Sequence, residues 1–385
     1  MDLHTAYPGI ADLKLRARRR LPRFVWEYLE SGTGAEITLK RNRTALDEVK
    51  FLPSILHGPI ECDTGIQFLG QDYPLPFGTA PIGMSGLIWP DAEKLLARAA
   101  AEAGLPYTLS TVASQSPEDL APHIGQNAWF QLYPPKDPDI RIDILNRARS
   151  AGFSTLVLTV DVPVASRRER QVRSGLTNPP RLTPQLLAQI ALCPTWAIGM
   201  ARNGMPRMRT LDKYIDGQSA LPPTAHVGYL LRTSPDMDYV KWLRDAWDGP
   251  FVVKGVMRAD DAERLQQTGV DAIWVSNHGG RQFDGAPASI EMLPQLRAAT
   301  NLPLIFDSGI EGGLDVLRAL ALGADFVMLG RGFLYGLSAL GAPGPAHVID
   351  ILRQDMAANM GQLGLPNLQN ITSVIRKVDA AMQRV

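Results

Sequence analysis

Cysteine is nearly absent: Cys62 and Cys193 are the only two in 385 residues. Two thiols cannot build a disulfide framework, so the chain must hold itself together with an apolar core, and this usage points to a reducing cytoplasm. No apolar run reaches the roughly 18 residues that span a bilayer, so the chain is not expected to cross a membrane. Net charge is also absent, with Lys+Arg and Asp+Glu at 39 each. That balance provides no global cationic field of the kind that gathers nucleic acid or acidic lipid, and small-molecule partners are expected. The amino terminus lacks the charged, apolar, small-residue order of a secretory signal, which again favours a cytoplasmic protein. What is present is 45% hydrophobic and 20% charged residues, enough for a large globular core.

One basic stretch, "KLRARRRLPRF" from Lys14 to Phe24, could be read as a nucleic-acid or localisation signal. The better reading is a solvated helix face, with Leu13, Leu21 and Phe24 turned inward and Pro22 ending or kinking the helix.

Short apolar runs rich in strand formers recur at 77–81, 105–110, 129–132, 156–159, 251–254, 273–276, 304–306 and 326–329. Most are followed by a helical pattern such as "DAEKLLARAAAEAG", "RIDILNRARSAG", "ADDAERLQQTG" or "GLDVLRALALG", each closed by a glycine suited to a helix C-cap. Continuously apolar strands are covered on both faces, so the sheet should be parallel, and eight βα units predict a (β/α)8 TIM barrel forming a single domain over residues 1–385. The runner-up is an open doubly wound sheet, which lacks support because no GxGxxG turn follows an early strand. A long interval between the fourth and fifth runs predicts an insertion over residues 175–237. Its mixture of Pro, Gly, Trp and Met reads as an irregular excursion with one short helix.

A barrel gathers the carboxyl ends of its strands around one mouth. Polar residues stand there in strand after strand: Ser110, Gln131 with Tyr133, Thr159 with Asp161, Lys254, Ser276 with His278, Asp307, and Gly330 with Arg331. Any one of them could be a helix cap or a satisfied surface group; the set marks an active site. Glycines in "DSGIEGGLDV" and "MLGRGF" follow the last two strands, where barrels commonly build a phosphate site from backbone amides and a helix N-terminus. A phosphate-bearing cofactor is therefore expected beside Arg331. No metal-ligand set is present.

The segments "LPRFVWEYLESG", "TAPIGMSGL", "WFQLY", "LVLTVDVPVASRRER", "VVKGV", "SNHGGRQFDG", "DSGIEGGLDVLRALALGAD" and "LGRGFLYGL", in that order, resemble the FMN-dependent α-hydroxy-acid oxidases and dehydrogenases, which include glycolate oxidase, mandelate dehydrogenase and respiratory L-lactate dehydrogenase. The resemblance covers nearly the whole chain and implies an enzyme with FMN as cofactor and no fused haem domain, oxidising an L-2-hydroxy acid to the 2-oxo acid. It implies His278 as the base with Asp161 holding its imidazole, Arg168 and Arg281 clamping the substrate carboxylate, and Tyr28 and Tyr133 donating hydroxyls to substrate. Lys254 would lie against the flavin, with Pro81, Ile82, Gly83, Ser110, Gln131, Thr159 and Ser276 around the ring. Asp307, Ser308, Gly309, Gly330 and Arg331 would extend toward ribityl and phosphate. A homotetramer is also implied.

Two departures qualify that carry-over. Many relatives have an arginine where this chain has Glu311, and an acid cannot donate to a phosphate; Arg331 and backbone amides around Gly309, Gly312 and Gly313 are left to do so. Gly83 resembles the dehydrogenase branch, which passes electrons to a membrane quinone. The stretch "CPTWAIGMARNGMPR" resembles the segment of mandelate and lactate dehydrogenases that associates with the inner membrane. Leu186, Leu187, Ile190, Leu192, Trp196, Ile198 and Met200, flanked by Arg181, Arg202, Arg207 and Arg209, could lie in the headgroup region. The competing readings are a cytosolic oxidase that uses O2 and releases H2O2, a Schiff-base aldolase built on Lys254, and a flavin binder without catalysis.

Overall fold

The computed structural model describes residues 2–176, 183–214 and 233–375. A single helical turn, Leu3–Ala6, and three longer helices, α1 (Ile10–Arg20), α2 (Arg23–Glu30) and α3 (Ile37–Glu48), precede the strands. Helix α1 buries Ile10, Leu13 and Ala17 and leaves its arginines outward or half-buried. The chain leaves the helix at Leu21, and Pro22 sits at the cap of α2, where its missing N–H is no loss. The basic stretch is thus a helix face over the barrel.

A hairpin of β1 (Ile66–Phe68) and β2 (Gln71–Tyr73) leads into β3 (Phe77–Thr79), β4 (Tyr107–Ser110), β5 (Ala128–Leu132), β6 (Thr155–Thr159), β7 (Phe251–Val256), β8 (Ala272–Val275), β9 (Leu304–Phe306) and β10 (Phe326–Leu329). Strands β3 to β10 are parallel and close into a barrel in which β10 pairs with β3, which excludes the open sheet. Between and after them run α4 (Ala92–Glu102), α5 (Pro138–Ser150), α6 (Pro184–Ala191), α7 (Pro194–Asn203), α8 (Met237–Ala246), α9 (Ala259–Gln266), α10 (Ser289–Ala299), α11 (Gly313–Ala321), α12 (Arg331–Leu340) and α13 (Gly344–Leu363). Gly104, Gly152, Gly269 and Gly323, which follow α4, α5, α9 and α11, all have positive φ, as left-handed helix ends require.

Alternation along the strands separates two cores. Phe130, Leu132, Leu156, Leu158, Val253 and Val275 face the helices, whereas Trp129, Val157, Val252, Trp274, Ile305 and Phe326 fill the barrel. Two residues further along the same strands, the inward face carries Gln131, Thr159, Lys254, Ser276 and Asp307. Period-two geometry alone puts these polar side chains in the layer above the apolar filling. Residues β1–β2 contribute Phe68 and Tyr73, whose rings lie 4.9 and 5.1 Å from that of Phe326 and plug the opposite end. The sequence reading did not anticipate this hairpin, which is only three residues a side.

Among the described residues of the insertion, α6 and α7 are two short helices, and a further short helix, Glu169–Arg173, precedes them. Leu186, Trp196 and Met200 are core residues: Trp196 packs edge-on against Phe24 at 5.7 Å and donates its indole N–H to the Leu87 carbonyl at 3.0 Å. Leu187, Leu192 and Ile198 remain 52%, 80% and 52% exposed. Arg181 lies outside the described residues. No described helix is long and apolar enough to cross a membrane.

Candidate active site

The mouth of the barrel holds a cavity of about 260 Å³. Tyr28, Pro81, Ile82, Gly83, Tyr133, Arg168, Lys254, His278 and Arg281 line it together with Asp307, Ser308, Gly309, Gly330 and Arg331. Ser110, Gln131, Thr159, Asp161 and Ser276 are not on that wall but lie buried or half-buried within the polar layer.

At the end of β8 the backbone turns left-handed three times in succession, at His278 (φ 57°), Gly279 (φ 63°) and Gly280 (φ 71°). For histidine that conformation costs about 1–3 kcal/mol. The surroundings enforce it: the His278 amide donates to Ser276 Oγ (3.1 Å), the Gly279 amide to Ser308 Oγ (3.0 Å), and the Gly280 amide to Asn277 Oδ1 (3.2 Å). A side chain at Gly280 would strike the backbone of Leu39 at 2.6 Å. Asn277 is itself fixed by reciprocal amide bonds to Asn42 of α3, at 2.9 and 2.7 Å. Sequence reasoning missed this buried asparagine pair, because its members stand far apart in the chain.

The His278 imidazole meets Asp161 Oδ1 through Nδ1 at 3.0 Å. Burial pushes the Asp161 carboxyl up, yet His278 and Lys254 more than reverse this and hold it below its ordinary value of 3.8. Asp161 is therefore a carboxylate, Nδ1 carries the proton toward it, and Nε2 is left as the basic nitrogen. Gly255 explains how Asp161 comes so close. It interrupts β7 at a register shift with φ 103°, and a Cβ there would lie 2.5 Å from that of Asp161. A glycine inside a strand signals such an approach, and in "VVKGV" that signal went unread.

Lys254 Nζ donates to Ser276 Oγ at 2.7 Å and pairs with Asp307, whose other oxygen accepts from Ser308. Its ammonium also sits 4.4 Å from the centre of the Trp274 ring. An amine so engaged is a fixed cation and not a free Schiff-base nucleophile.

Three arginines of the cavity have no carboxylate partner among the described residues. Arg281 donates to the backbone carbonyls of Ser31 (2.8 Å) and Leu29 (3.3 Å), Arg168 to Ser166 Oγ (3.0 Å), and Arg331 to the Gly279 carbonyl (2.8 Å). Burial, together with the charges of Arg168 and Arg331, disfavours the charged form of Arg281. Guanidinium stays charged in proteins nonetheless, so the site has an unmet demand for anions. Arg168 is itself left-handed (φ 43°) and leads into the Glu169–Arg173 helix, where Arg170 forms ion pairs with Glu27 and Glu36. That brace, also missed in the sequence, ties Arg168 to the helix that carries Tyr28. The Tyr28 hydroxyl donates to the Gly83 carbonyl at 2.8 Å. Tyr133 is held well above the ordinary phenol range by burial and by Asp161, so it remains a proton donor.

The floor answers whether a flavin fits. Gln131 receives a hydrogen bond from Ser110 at its Oε1 (2.9 Å), but its Nε2 and the hydroxyl of Thr159 are buried with no partner. Buried donors left unpaired in the layer under the cavity are what a bound ligand would satisfy, and the nitrogen and carbonyl acceptors of an isoalloxazine fit that demand. The phosphate end is narrower than the sequence suggested. Gly309, Gly330 and Arg331 reach the wall, but Gly312 and Gly313 do not. Gly313 instead abuts α13, where a Cβ would lie 2.5 Å from the Met356 nitrogen, and Asp355 accepts from the amide of Leu314 at 3.1 Å. The N-terminus of α11 is thus capped from within, leaving that of α12 facing the cavity.

A barrel mouth with a carboxylate-oriented imidazole, unpaired arginines and a polar floor defines a flavin-carrying oxidoreductase. The chain belongs to the FMN-dependent dehydrogenase family, which it matches over residues 17–377. It is 38% identical over 368 residues to an L-lactate dehydrogenase of Ectopseudomonas mendocina (strain ymp), covering 94% of this chain and 96% of that one. It is 37% identical over 382 residues to the L-lactate dehydrogenase of Xanthobacter autotrophicus (strain ATCC BAA-1158 / Py2), covering 97% and 98%. Among solved structures, the monotopic membrane protein (S)-mandelate dehydrogenase superposes with a TM-score of 0.90 at 34% identity over 96% of this chain and 99% of that chain. A mandelate oxidase gives 0.81 at 33%, covering 96% and 98%.

Proposed function

We propose that this protein oxidises an L-2-hydroxy acid of the lactate or mandelate kind to the 2-oxo acid and passes the electrons to a quinone. The observation that carries the reading is His278, oriented by Asp161 at 3.0 Å, in one cavity with two arginines that lack an anion. Bound FMN supplies the two-electron acceptor. Arg168 and Arg281 receive the substrate carboxylate, which meets their unmatched charge. Tyr133 donates to a substrate oxygen, and Tyr28 does the same once its hydroxyl turns from the Gly83 carbonyl. Nε2 of His278 takes a proton from the substrate as its C2 is oxidised, and Asp161 stabilises the imidazolium that results. Lys254, anchored by Asp307 and Ser276, would support negative charge on the cofactor ring, and Gln131 and Thr159 would offer hydrogen bonds to it. Oxidation of CH–OH to C=O releases two electrons and two protons: one proton goes to Nε2 of His278, and the flavin would take up both electrons with the other proton.

Quinone as acceptor and peripheral contact with the inner face of the cell membrane are favoured by the exposed Leu187 on α6, Ile198 on α7 and Leu192 in the turn between them, and by the (S)-mandelate dehydrogenase described as monotopic. The site and its substrate-end residues are equally those of an oxidase, so the acceptor is decided by reoxidation. Purified protein should be yellow and bleach anaerobically with one enantiomer of lactate or mandelate. A yellow protein that no 2-hydroxy acid bleaches refutes the enzyme reading. Reduced flavin that air reoxidises faster than a quinone analogue, in a protein that does not sediment with membranes, refutes the acceptor. A homotetramer, checked by light scattering, completes the proposal.

A further inference from the structure

Glu311 lines the cavity near Arg331 and Gly309, although an acid there repels the phosphate for which the rest of that end is built. Its carboxylate is engaged by Lys14 Nζ at 3.3 Å, across nearly the whole chain. Lys14 is not on the cavity wall. It stands on α1, pairs with Glu30 of α2 at 2.8 Å, and lies 5.3 Å from the centre of the Tyr335 ring. Tyr335, one turn beyond Arg331 on α12, donates its hydroxyl to Glu30. The four groups therefore tie α1, α2 and α12 to the loop after β9. Burial alone would lower the Lys14 ammonium, but Glu30 and Glu311 keep it raised, so it stays charged.

We infer that Lys14 is a positioning residue for cofactor affinity: it holds and neutralises the Glu311 carboxylate, so that the pair sets how tightly this chain grips the FMN phosphate. This rests on the reading that the phosphate lies at Gly309, Gly330 and Arg331. Without Lys14 the Glu311 charge is left uncompensated beside a dianion. A single acid thus makes the grip adjustable, and the amino-terminal helix becomes part of the cofactor site without touching it.

The test uses full-length apoprotein and flavin fluorescence quenching, with riboflavin as the ligand lacking phosphate. Lys14→Met should weaken FMN about ten-fold while leaving riboflavin unchanged. Glu311→Gln should tighten FMN several-fold, and adding Lys14→Met to it should cost no further FMN-over-riboflavin discrimination, because the side chain on the cavity wall is then neutral and Glu30, the other partner of Lys14, is not on that wall. Lys14→Arg should restore the wild-type value. Unchanged FMN affinity in Lys14→Met overturns the inference, as does equal weakening of FMN and riboflavin, or a Lys14→Met penalty that persists beside Glu311→Gln. Should Lys14→Met not fold, Glu311→Gln alone decides, since no gain in FMN over riboflavin overturns it. Arg331→Gln separates the two levels. If that variant loses no more FMN than riboflavin affinity, the phosphate location itself is wrong; if it discriminates and Lys14→Met does not, only the role of Lys14 falls.

Discussion

The two ends of the barrel are made by the same strands and obey opposite rules. At the amino-terminal end the rings of Phe68, Tyr73, Trp129 and Phe326 pack into an apolar plug. At the carboxyl end, two residues along, Gln131, Thr159, Lys254, Ser276 and Asp307 are also buried but polar. Burial is repaid by packing in the first case. In the second it is repaid by a chain of hydrogen bonds and one ion pair; that chain is left open at Gln131 Nε2 and Thr159 Oγ1, and three arginines beside it bond to carbonyl and hydroxyl oxygens with no carboxylate partner among the described residues. One end gives stability that needs no ligand, whereas the other stores unmet polar demand that a cofactor and an anion can satisfy.

Breaking the polar end should stop chemistry without unfolding the protein. His278→Ala removes the base and is expected to slow anaerobic flavin reduction by about 10³–10⁴-fold, with FMN content and melting temperature near wild type. Stopped-flow absorbance measures it, and reduction within ten-fold of wild type would remove His278 from the catalytic role. Breaking the plug should do the reverse. Phe326→Ala is expected to cost roughly 3–5 kcal/mol of stability while flavin reduction in the folded fraction stays close to normal, as denaturant unfolding paired with the same kinetic assay would show.

Asp161→Asn sharpens the comparison because it changes charge and not shape. It should slow reduction by about 10²–10³-fold, since the amide no longer fixes the imidazole tautomer or stabilises its protonated form. The sign of its pH dependence follows from the lowered carboxyl. A depressed pKa contributes stability that is complete above the unfolded value near 3.8 and is lost as pH falls through the folded value. The stability gap between wild type and Asp161→Asn should therefore be widest near neutrality and close in acid, measured by thermal melts across pH. The smallest of these effects is expected for Arg281→Lys, about 1–3 kcal/mol of transition-state binding or some ten- to hundred-fold in kcat/KM. An ammonium keeps the charge but cannot reproduce the planar fork on a carboxylate.

Much of this was legible in the chain. Apolar runs, each followed by a helical pattern that a glycine closes at 104, 152, 269 or 323, announce βα units, and period-two alternation then forces Gln131, Thr159, Lys254 and Asp307 inward once the strands are located. The composition excluded a disulfide scaffold, and motif resemblance pointed to the flavin and to His278. Local pattern decides these features, because strand alternation and helix capping act over a few residues.

Tertiary structure decided what depends on distant partners. The bond between Asn42 and Asn277, the brace of Arg170 by Glu27 and Glu36, the capping of α11 by Asp355 and the hold of Lys14 on Glu311 join residues separated by tens to hundreds of positions. Nothing in the local sequence around Glu311 shows that a lysine from the first long helix will reach it, nor that Leu186, Trp196 and Met200 turn inward while Leu187, Leu192 and Ile198 do not. Side-chain charge and apolarity are written in the sequence, but whether a charge is matched and whether an apolar face is covered are properties of what folding places against it.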